Sequence, residues 1–483
     1  MLFRITRYIL SCTLIWAFAA CKKDVALAPP GGLTITNITD TGAAINWDPV
    51  AKATGYTLYI ASDTSFYYNY LVPGYGPATV PQSPVIVTNL TPGTKYFVKV
   101  VAIHGSKTGP AATAEFTTLD ADALVFIGSD NYNSIGTYPA GNFNLYALNA
   151  KDGSVAWSRP TGASIYGSPV VQDGNVYVAS SDAYVYSYAL DGTSKWKWGP
   201  AYSGGTFEST PLVRNGAVYI GDLGGWVYSL DATNGILNWE WISYAGYGNI
   251  GSSLVTDDSV TTVYVASLDG KVSALNSSNG TLEWSTISIG TAIESRPALS
   301  GGTLYVGGQT RLYAFDAHMG TKLWNTITPG GVELYGSPAV SNGKVIVGGA
   351  DGVLYSVNAT DGSLNWGVPL DGGISSSPIV QSGVIYVAAV RSVYAIDEHS
   401  GSTIWENAGV GTGAQAAGLY SGPTLSANHV YAATVYGSVY CLDKASGKTI
   451  WVASPSQAGF QSSPCVTTYG GKVYYPGVSG MGQ

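Results

Sequence analysis

The residues able to do chemistry are few and scattered. The chain of 483 residues has four cysteines, Cys12, Cys21, Cys441 and Cys465, and four histidines, His104, His318, His399 and His429. His318 and His399 occupy equivalent turn positions in different repeats, too far apart to share one ion, and His429 stands alone before a strand, so no metal centre is expected. Cys441 and Cys465 fall in neighbouring repeats and read as buried thiols, with a disulfide the alternative in an oxidising compartment. Asp182, Asp222, Asp269 and Asp351 recur in hairpin turns, where Asp serves the backbone. One set of positions does converge. Ahead of a recurring Ser-Pro, or its equivalent, stand Tyr166, Glu208, Ile250, Glu294, Tyr335, Ser375, Tyr420 and Gln461, each followed by Gly or Ser. Thr210 and Arg296 take the place of the Ser that follows. Rings that stack, carboxylates that accept and a guanidinium fork make a surface for binding rather than for bond-making. The candidate binding set is therefore Tyr166, Glu208, Glu294, Arg296, Tyr335, Tyr420 and Gln461, with loops 243–249 and 411–422 on the same side.

What must position these residues is a repeat. Segments such as VYSLDATNGILNW and LYAFDAHMGTKLW recur and end in Trp157, Trp196, Trp239, Trp284, Trp324, Trp366, Trp405 and Trp451, with a mean spacing of 42 residues. Each period supplies a Pro-led strand, a Gly turn, a second strand, an alternating third strand and a fourth closed by the Trp. Four strands in a period of about 40–45 residues predict a β-propeller, here with eight blades over residues 123–483. Each Trp has a large apolar face and one N–H needing a partner, which suits it to staple one blade to the next. The first period lacks an inner strand and the C-terminal residues supply one, so the ends are expected to close one blade and remove exposed edges. Both ends offer a second strand, LVFIG and KVYYP, of which one is expected to be redundant.

The N-terminal region is different. Arg4 and Arg7 precede an apolar run that ends in Ala19-Ala20-Cys21, the order of a signal peptide over residues 1–20. Phe18-Ala19-Ala20-Cys21 resembles a bacterial lipobox, which implies that Cys21 is lipidated and, with Lys22-Lys23-Asp24 after it, an outer-membrane anchor facing the periplasm or the cell surface. After a Pro/Gly linker (21–31), six or seven short strands over residues 32–119 indicate a β-sandwich. Trp47, Tyr56 and the run Leu90-Thr91-Pro92-Gly93-Thr94-Lys95-Tyr96 resemble a fibronectin type III domain with its tyrosine corner. That fold implies a spacer or adhesion module with no catalytic residues.

The Asp, Ser/Thr-Gly and Trp pattern of the repeats resembles the tryptophan-docking motif of PQQ-like propellers. No repeat Trp is followed by Asp, which disfavours a WD40 propeller. The resemblance implies two functions of different kinds. PQQ-dependent oxidoreductases on this fold use a quinone, a Ca²⁺ ion, an Asp base and a vicinal Cys-Cys disulfide, and no two cysteines here are adjacent. The lipoproteins of the outer-membrane β-barrel assembly machinery use the propeller, without a cofactor, to hold protein partners. The expected function is thus a non-catalytic cell-envelope scaffold with no cofactor, binding through propeller loops. Surface recognition of glycans or proteins and a PQQ-dependent oxidoreductase are the alternatives. A formal net charge of -8 with only 11% charged residues argues against nucleic acid, which needs clustered Lys and Arg.

Overall fold

The computed structural model describes residues 26–39, 41–118, 122–130, 143–200, 205–243, 249–286, 288–327, 331–410, 418–456, 458–468 and 473–474. Cys21, the signal segment and the loop residues 244–248 and 411–417 lie outside the described residues. No helix among the described residues is long and apolar enough to cross a membrane. The chain divides into two units, Met1–Leu119 and Asp120–Gln483.

In the first unit a three-stranded sheet (Thr34–Thr36, Ala43–Asn46, Val85–Val87) packs on a four-stranded one (Ala78–Val80, Gly55–Ala61, Lys95–His104, Lys107–Thr117). Alternation in Lys95–His104 sends Tyr96, Val98, Val100 and Ala102 into a core shared with Ile45, Trp47 and Leu58. Trp47 lies just past the second strand and meets Tyr56 edge-on at 5.2 Å. The Tyr96 hydroxyl accepts the Thr91 N–H at 2.9 Å, which ties the turn to the strand as a tyrosine corner does.

The second unit is built of eight sheets among the described residues. Blade 1 combines residues 122–160 with 465–474, and blades 2 to 8 span 170–198, 212–242, 255–285, 298–327, 339–369, 379–407 and 424–453. Blades 2 to 8 are four-stranded antiparallel meanders. Their second and third strands are the most apolar: in Thr303–Gly308 the five residues after Thr303 are buried, and in Arg311–Asp316 the middle four are. These strands are covered by a neighbouring blade on each face, which explains near-continuous apolar runs instead of strict alternation. The fourth strands are the most exposed, reading as outer edges.

The indoles join the ring. Trp157 Nε1 donates to the Leu190 carbonyl of blade 2 at 2.8 Å, Trp196 to Ala232 at 3.0 Å, Trp239 to Ser277 at 2.8 Å and Trp284 to Ala317 at 3.2 Å. Trp324 reaches Ala359 at 3.1 Å, Trp405 reaches Lys444 at 3.0 Å, and Trp451 of blade 8 reaches Ala150 of blade 1 at 2.8 Å. The last bond returns to the start of the chain, so the blades form a closed circle. Trp366 is the exception: its Nε1 is buried without a partner.

Closure uses both terminal strands. Cys465–Thr468 pairs with Asp122–Gly128, matching Val466 with Val125, so LVFIG provides the second strand of blade 1. KVYYP is not redundant, as the sequence had suggested, because Val473–Tyr474 pairs with the other edge of Cys465–Thr468 as a fifth strand. The physical reason is the exposed edge: an inner strand has one free row of backbone groups, and a hairpin return covers it. Asp122 pins the seam. Its Oδ2 lies 2.6 Å from Ser426 Oγ, 2.8 Å from His429 Nδ1 and 2.8 Å from the Tyr431 hydroxyl, all from blade 8. Cys441 and Cys465 are buried free thiols, each pushed up to about 12 by burial.

Candidate functional site

The residues leading into each inner strand form four stacked layers around the ring. The first layer, Ile165, Phe207, Ile250, Ile293, Leu334, Ile374, Leu419 and Phe460, is buried between blades. This corrects the alignment made from sequence: Ile250 belongs here, and Gly251 is the blade 4 counterpart of Tyr166 and Glu208. Leu254 replaces the Pro that marks the other blades, and the register slips by one without that marker.

The second layer is the candidate mouth. Tyr335 and Tyr420 are 44% and 48% exposed, so nearly half of each ring is open for contact. Glu294 is exposed, while Tyr166, Glu208, Ser375 and Gln461 are half-buried. Burial pushes the Glu208 carboxyl above its ordinary value. The Tyr335 hydroxyl donates to Glu333, which holds its proton more firmly than in water. The Gln461 N–H donates to Asp130 Oδ2 at 2.9 Å, fixing the backbone beneath that side chain.

The third layer is small for a reason. A Cβ at Gly167 would come 2.3 Å from the Ser209 carbonyl oxygen, and one at Gly336 equally close to that of Ser376. Elsewhere a Ser fits and turns its hydroxyl to the second strand: Ser209 Oγ donates to Gly221 at 3.0 Å, Ser295 to Gly307 at 3.0 Å and Ser376 to Ala388 at 2.7 Å.

The fourth layer is a hydrogen-bonded circle that sequence reasoning missed. The N–H of one blade donates to the hydroxyl of the next: Ser168 to Thr210 (2.9 Å), Thr210 to Ser253 (3.0 Å), Arg296 to Ser337 (3.0 Å), Ser337 to Ser377 (2.9 Å), Gly422 to Ser463 (2.8 Å) and Ser463 to Ser168 (3.0 Å). The sequence carries the signal as a hydroxyl residue before most of the repeat prolines, a position that serves in the sequence alignment only to bring the repeats into register. Two members, Arg296 and Gly422, have no hydroxyl to offer. Arg296 also leaves the mouth: with Arg214 it lines a cavity among turns that join inner to second strands, at the opposite ends of the inner strands. The structure therefore groups Tyr166, Glu208, Glu294, Tyr335, Tyr420 and Gln461 by layer and separates Arg296 from them.

The hairpin aspartates do backbone work. Asp182 accepts the Gly162 N–H at 2.6 Å and the Tyr186 hydroxyl at 2.5 Å, and Asp351 accepts the Tyr355 hydroxyl at 2.5 Å. Asp222 accepts the Trp226 N–H at 2.9 Å and the Tyr228 hydroxyl at 3.1 Å, and burial raises its carboxyl. Asp269 binds Ser267 and forms an ion pair with Lys271 at 3.0 Å. Among the described residues no three His, Cys, Asp or Glu side chains gather into a metal-holding group.

A closed ring of antiparallel sheets, seven of four strands and one of five among the described residues, with seven of eight indoles bonded to the following blade, defines a PQQ-like propeller, here preceded by a fibronectin type III sandwich. The family described as outer membrane protein assembly factor BamB matches residues 106–240, 198–334, 310–415 and 389–478, and the chain belongs to it. The fibronectin type III family matches residues 28–118. The chain is similar to two curated proteins named outer membrane protein assembly factor BamB. That of Moranella endobia (strain PCIT) is 30% identical over 170 residues, 31% of this chain and 43% of the relative. That of Yersinia pestis is 32% identical over 114 residues, 22% of this chain and 28% of the relative. The chain thus spans less than half the length of either. Among solved structures, BamB from Moraxella catarrhalis matches with a TM-score of 0.52 at 17% identity, over 66% of this chain and 95% of that one. A europium-containing methanol dehydrogenase matches with 0.52 at 14% identity, over 66% and 85%. At such identities these two establish the shared fold.

The quinone site of the dehydrogenases on this fold does not fit the residues present. Its recognisable element is a pair of adjacent cysteines, whereas Cys441 lies on the third strand of blade 8 and Cys465 on the inner strand of blade 1. Both thiols are packed in apolar surroundings with their protons held by burial.

Proposed function

We propose that this chain is a non-catalytic cell-envelope scaffold that holds an outer-membrane assembly partner with the mouth of its propeller, tethered through a lipid on Cys21. The observation that carries the reading is the second layer itself. A rigid circle of buried serines and apolar residues holds Tyr335, Tyr420 and Glu294 outward, which leaves aromatic and charged anchors already ordered before a partner arrives. Membership in the BamB family and the fit failure of the quinone site favour the same role. Photo-crosslinking in cells tests it, with a probe at Tyr335 or Tyr420 and a control probe at the far-end turn residue Asp361. Capture of an envelope protein from the mouth positions alone is expected. Identical products from Asp361 would remove the mouth from consideration.

A second reading belongs to the sandwich. Tyr67, Tyr68 and Tyr70 are 72%, 87% and 50% exposed within four residues, a surface on which sugar rings could stack. Glycan binding lost in a Tyr67→Ala, Tyr68→Ala double variant would favour this role.

A further inference from the structure

The cavity around Arg214 and Arg296 has no part in the mouth. It measures about 760 Å³ and lies where the turns of blades 3, 4 and 5 meet at the far ends of their inner strands. Arg214 ends the inner strand of blade 3, and Arg296 precedes that of blade 5. Among the described residues neither guanidinium makes an ion pair or donates a hydrogen bond, and Arg296 Nε is sealed from solvent without a partner. Burial first, and then the like charge of Arg214, lowers the Arg296 guanidinium to about 10, so it stays charged at neutral pH.

Nearby acids do not answer these charges. Asp257 is consumed by its own turn, accepting the Thr261 and Thr262 N–H groups at 2.8 and 2.9 Å and the Thr261 hydroxyl at 2.8 Å. Asp258 is exposed and pairs with neither arginine. The sequence has also given up something to keep Arg296. At its position the other blades carry Ser, Thr or Gly, and Arg296 leaves the Ser253 N–H without the hydroxyl that most blades provide. A guanidinium whose Nε is sealed from solvent without a counter-charge is destabilising, and the part-buried Arg214 beside it adds to the cost. A guanidinium fork at a cavity matches a carboxylate or a phosphate, and Asp257 and Asp258 in the same lining disfavour the more highly charged phosphate.

We infer that the cavity between Arg214 and Arg296 is a binding site for a carboxylate ligand. The carboxylate is carried either by a small free acid or by an acidic side chain of an extended peptide. It accepts hydrogen bonds from the two guanidiniums, and Asn215, Ser300 and His318 at the rim contact the remainder. The site is at the opposite end of the inner strands from the mouth, so it stands or falls independently of the scaffold reading.

Isothermal titration of the full chain with citrate, and separately with hexaglutamate, at ionic strength held constant with sodium chloride, tests this. Saturable binding is expected for at least one probe, weakened about tenfold or more in Arg214→Gln and in Arg296→Gln and unchanged in Tyr335→Ala. Citrate alone identifies a free acid as the source, and hexaglutamate alone a peptide. Arg296→Gln should also melt higher than the parent without ligand, because it removes an unpaired buried charge. Absence of saturable binding for both probes, or binding in both arginine variants as tight as in the parent, would overturn the site.

Discussion

Seven seams of the ring are alike and one is not. In seven, an aromatic residue of the second strand packs on the indole of the same blade: Phe126 on Trp157, Tyr305 on Trp324 and Tyr386 on Trp405 at 5.7, 5.9 and 5.9 Å, with four further Tyr-Trp pairs between 5.8 and 6.0 Å. The indole N–H then reaches the next blade. Between blades 6 and 7 Ile346 replaces the aromatic, and Trp366 has no acceptor. The carbonyl that would serve it, that of Glu398, is taken at 2.9 Å by Lys344 Nζ, while Asn342 binds the Glu398 carboxylate at 2.9 Å. A charged bond has displaced the indole bond at the same carbonyl. Geometric closure therefore does not require the motif to be satisfied at every seam; at this one a lysine donates across the gap in place of the indole.

The glycine of the motif sharpens this contrast most. Gly320 holds φ at +67°, and a Cβ there would lie 2.4 Å from the Trp284 ring. Gly401 at the odd seam holds φ at +74°, but its Cβ would press the Trp366 ring less closely, at 3.1 Å, and would meet Val368 at 2.8 Å. Gly320→Ala combines a left-handed backbone with forced displacement of an indole and should destabilise by roughly 2–4 kcal/mol. Gly401→Ala shares the backbone penalty and should be milder by about 1 kcal/mol, since Val368 is a smaller obstacle than a docked ring. Thermal or urea unfolding of both variants checks the order. Equal losses would mean that backbone conformation alone sets the glycine.

The indole N–H is next. Trp284→Phe removes a bond to the Ala317 carbonyl and leaves that oxygen unpaired, for a loss of about 1–2 kcal/mol beyond the change in ring size. Trp366→Phe removes a buried donor that already lacks a partner, so it should be nearly neutral on the same scale, within about 0.5 kcal/mol. A larger loss at Trp366 than at Trp284 would break the comparison.

The repeats, the eight indoles and the sandwich were legible in the sequence because each depends on residue type at fixed spacing. The circle Ser168, Thr210, Ser253 was not, because its bonds cross between blades and no single repeat contains both partners. Arg296 was assigned to the mouth by column, yet a long side chain departs from the column its backbone occupies. Ile250 was misplaced by one because Leu254 lacks the constraint that makes Pro a landmark. The fate of Val473–Tyr474 could not be read either, since a spare strand edge attracts whatever hairpin follows.

The smallest effect separates the seams by pH. Burial pushes the phenols of Tyr264 and Tyr386 up to about 12, while Ile346 offers nothing to titrate. A phenol whose proton is held more tightly in the folded state gives its full contribution below its ordinary value of 10. It loses that contribution as pH rises from 10 towards 12. At about pH 10.5 the loss should stay under about 1 kcal/mol per tyrosine. Tyr264→Phe and Tyr386→Phe should each flatten the alkaline decline, followed by melting temperature against pH with tyrosinate absorbance as the second readout. Ile346→Phe adds a ring without a phenol and should leave the slope unchanged. If it flattened the decline as well, the decline would come from general charge repulsion and not from the seams.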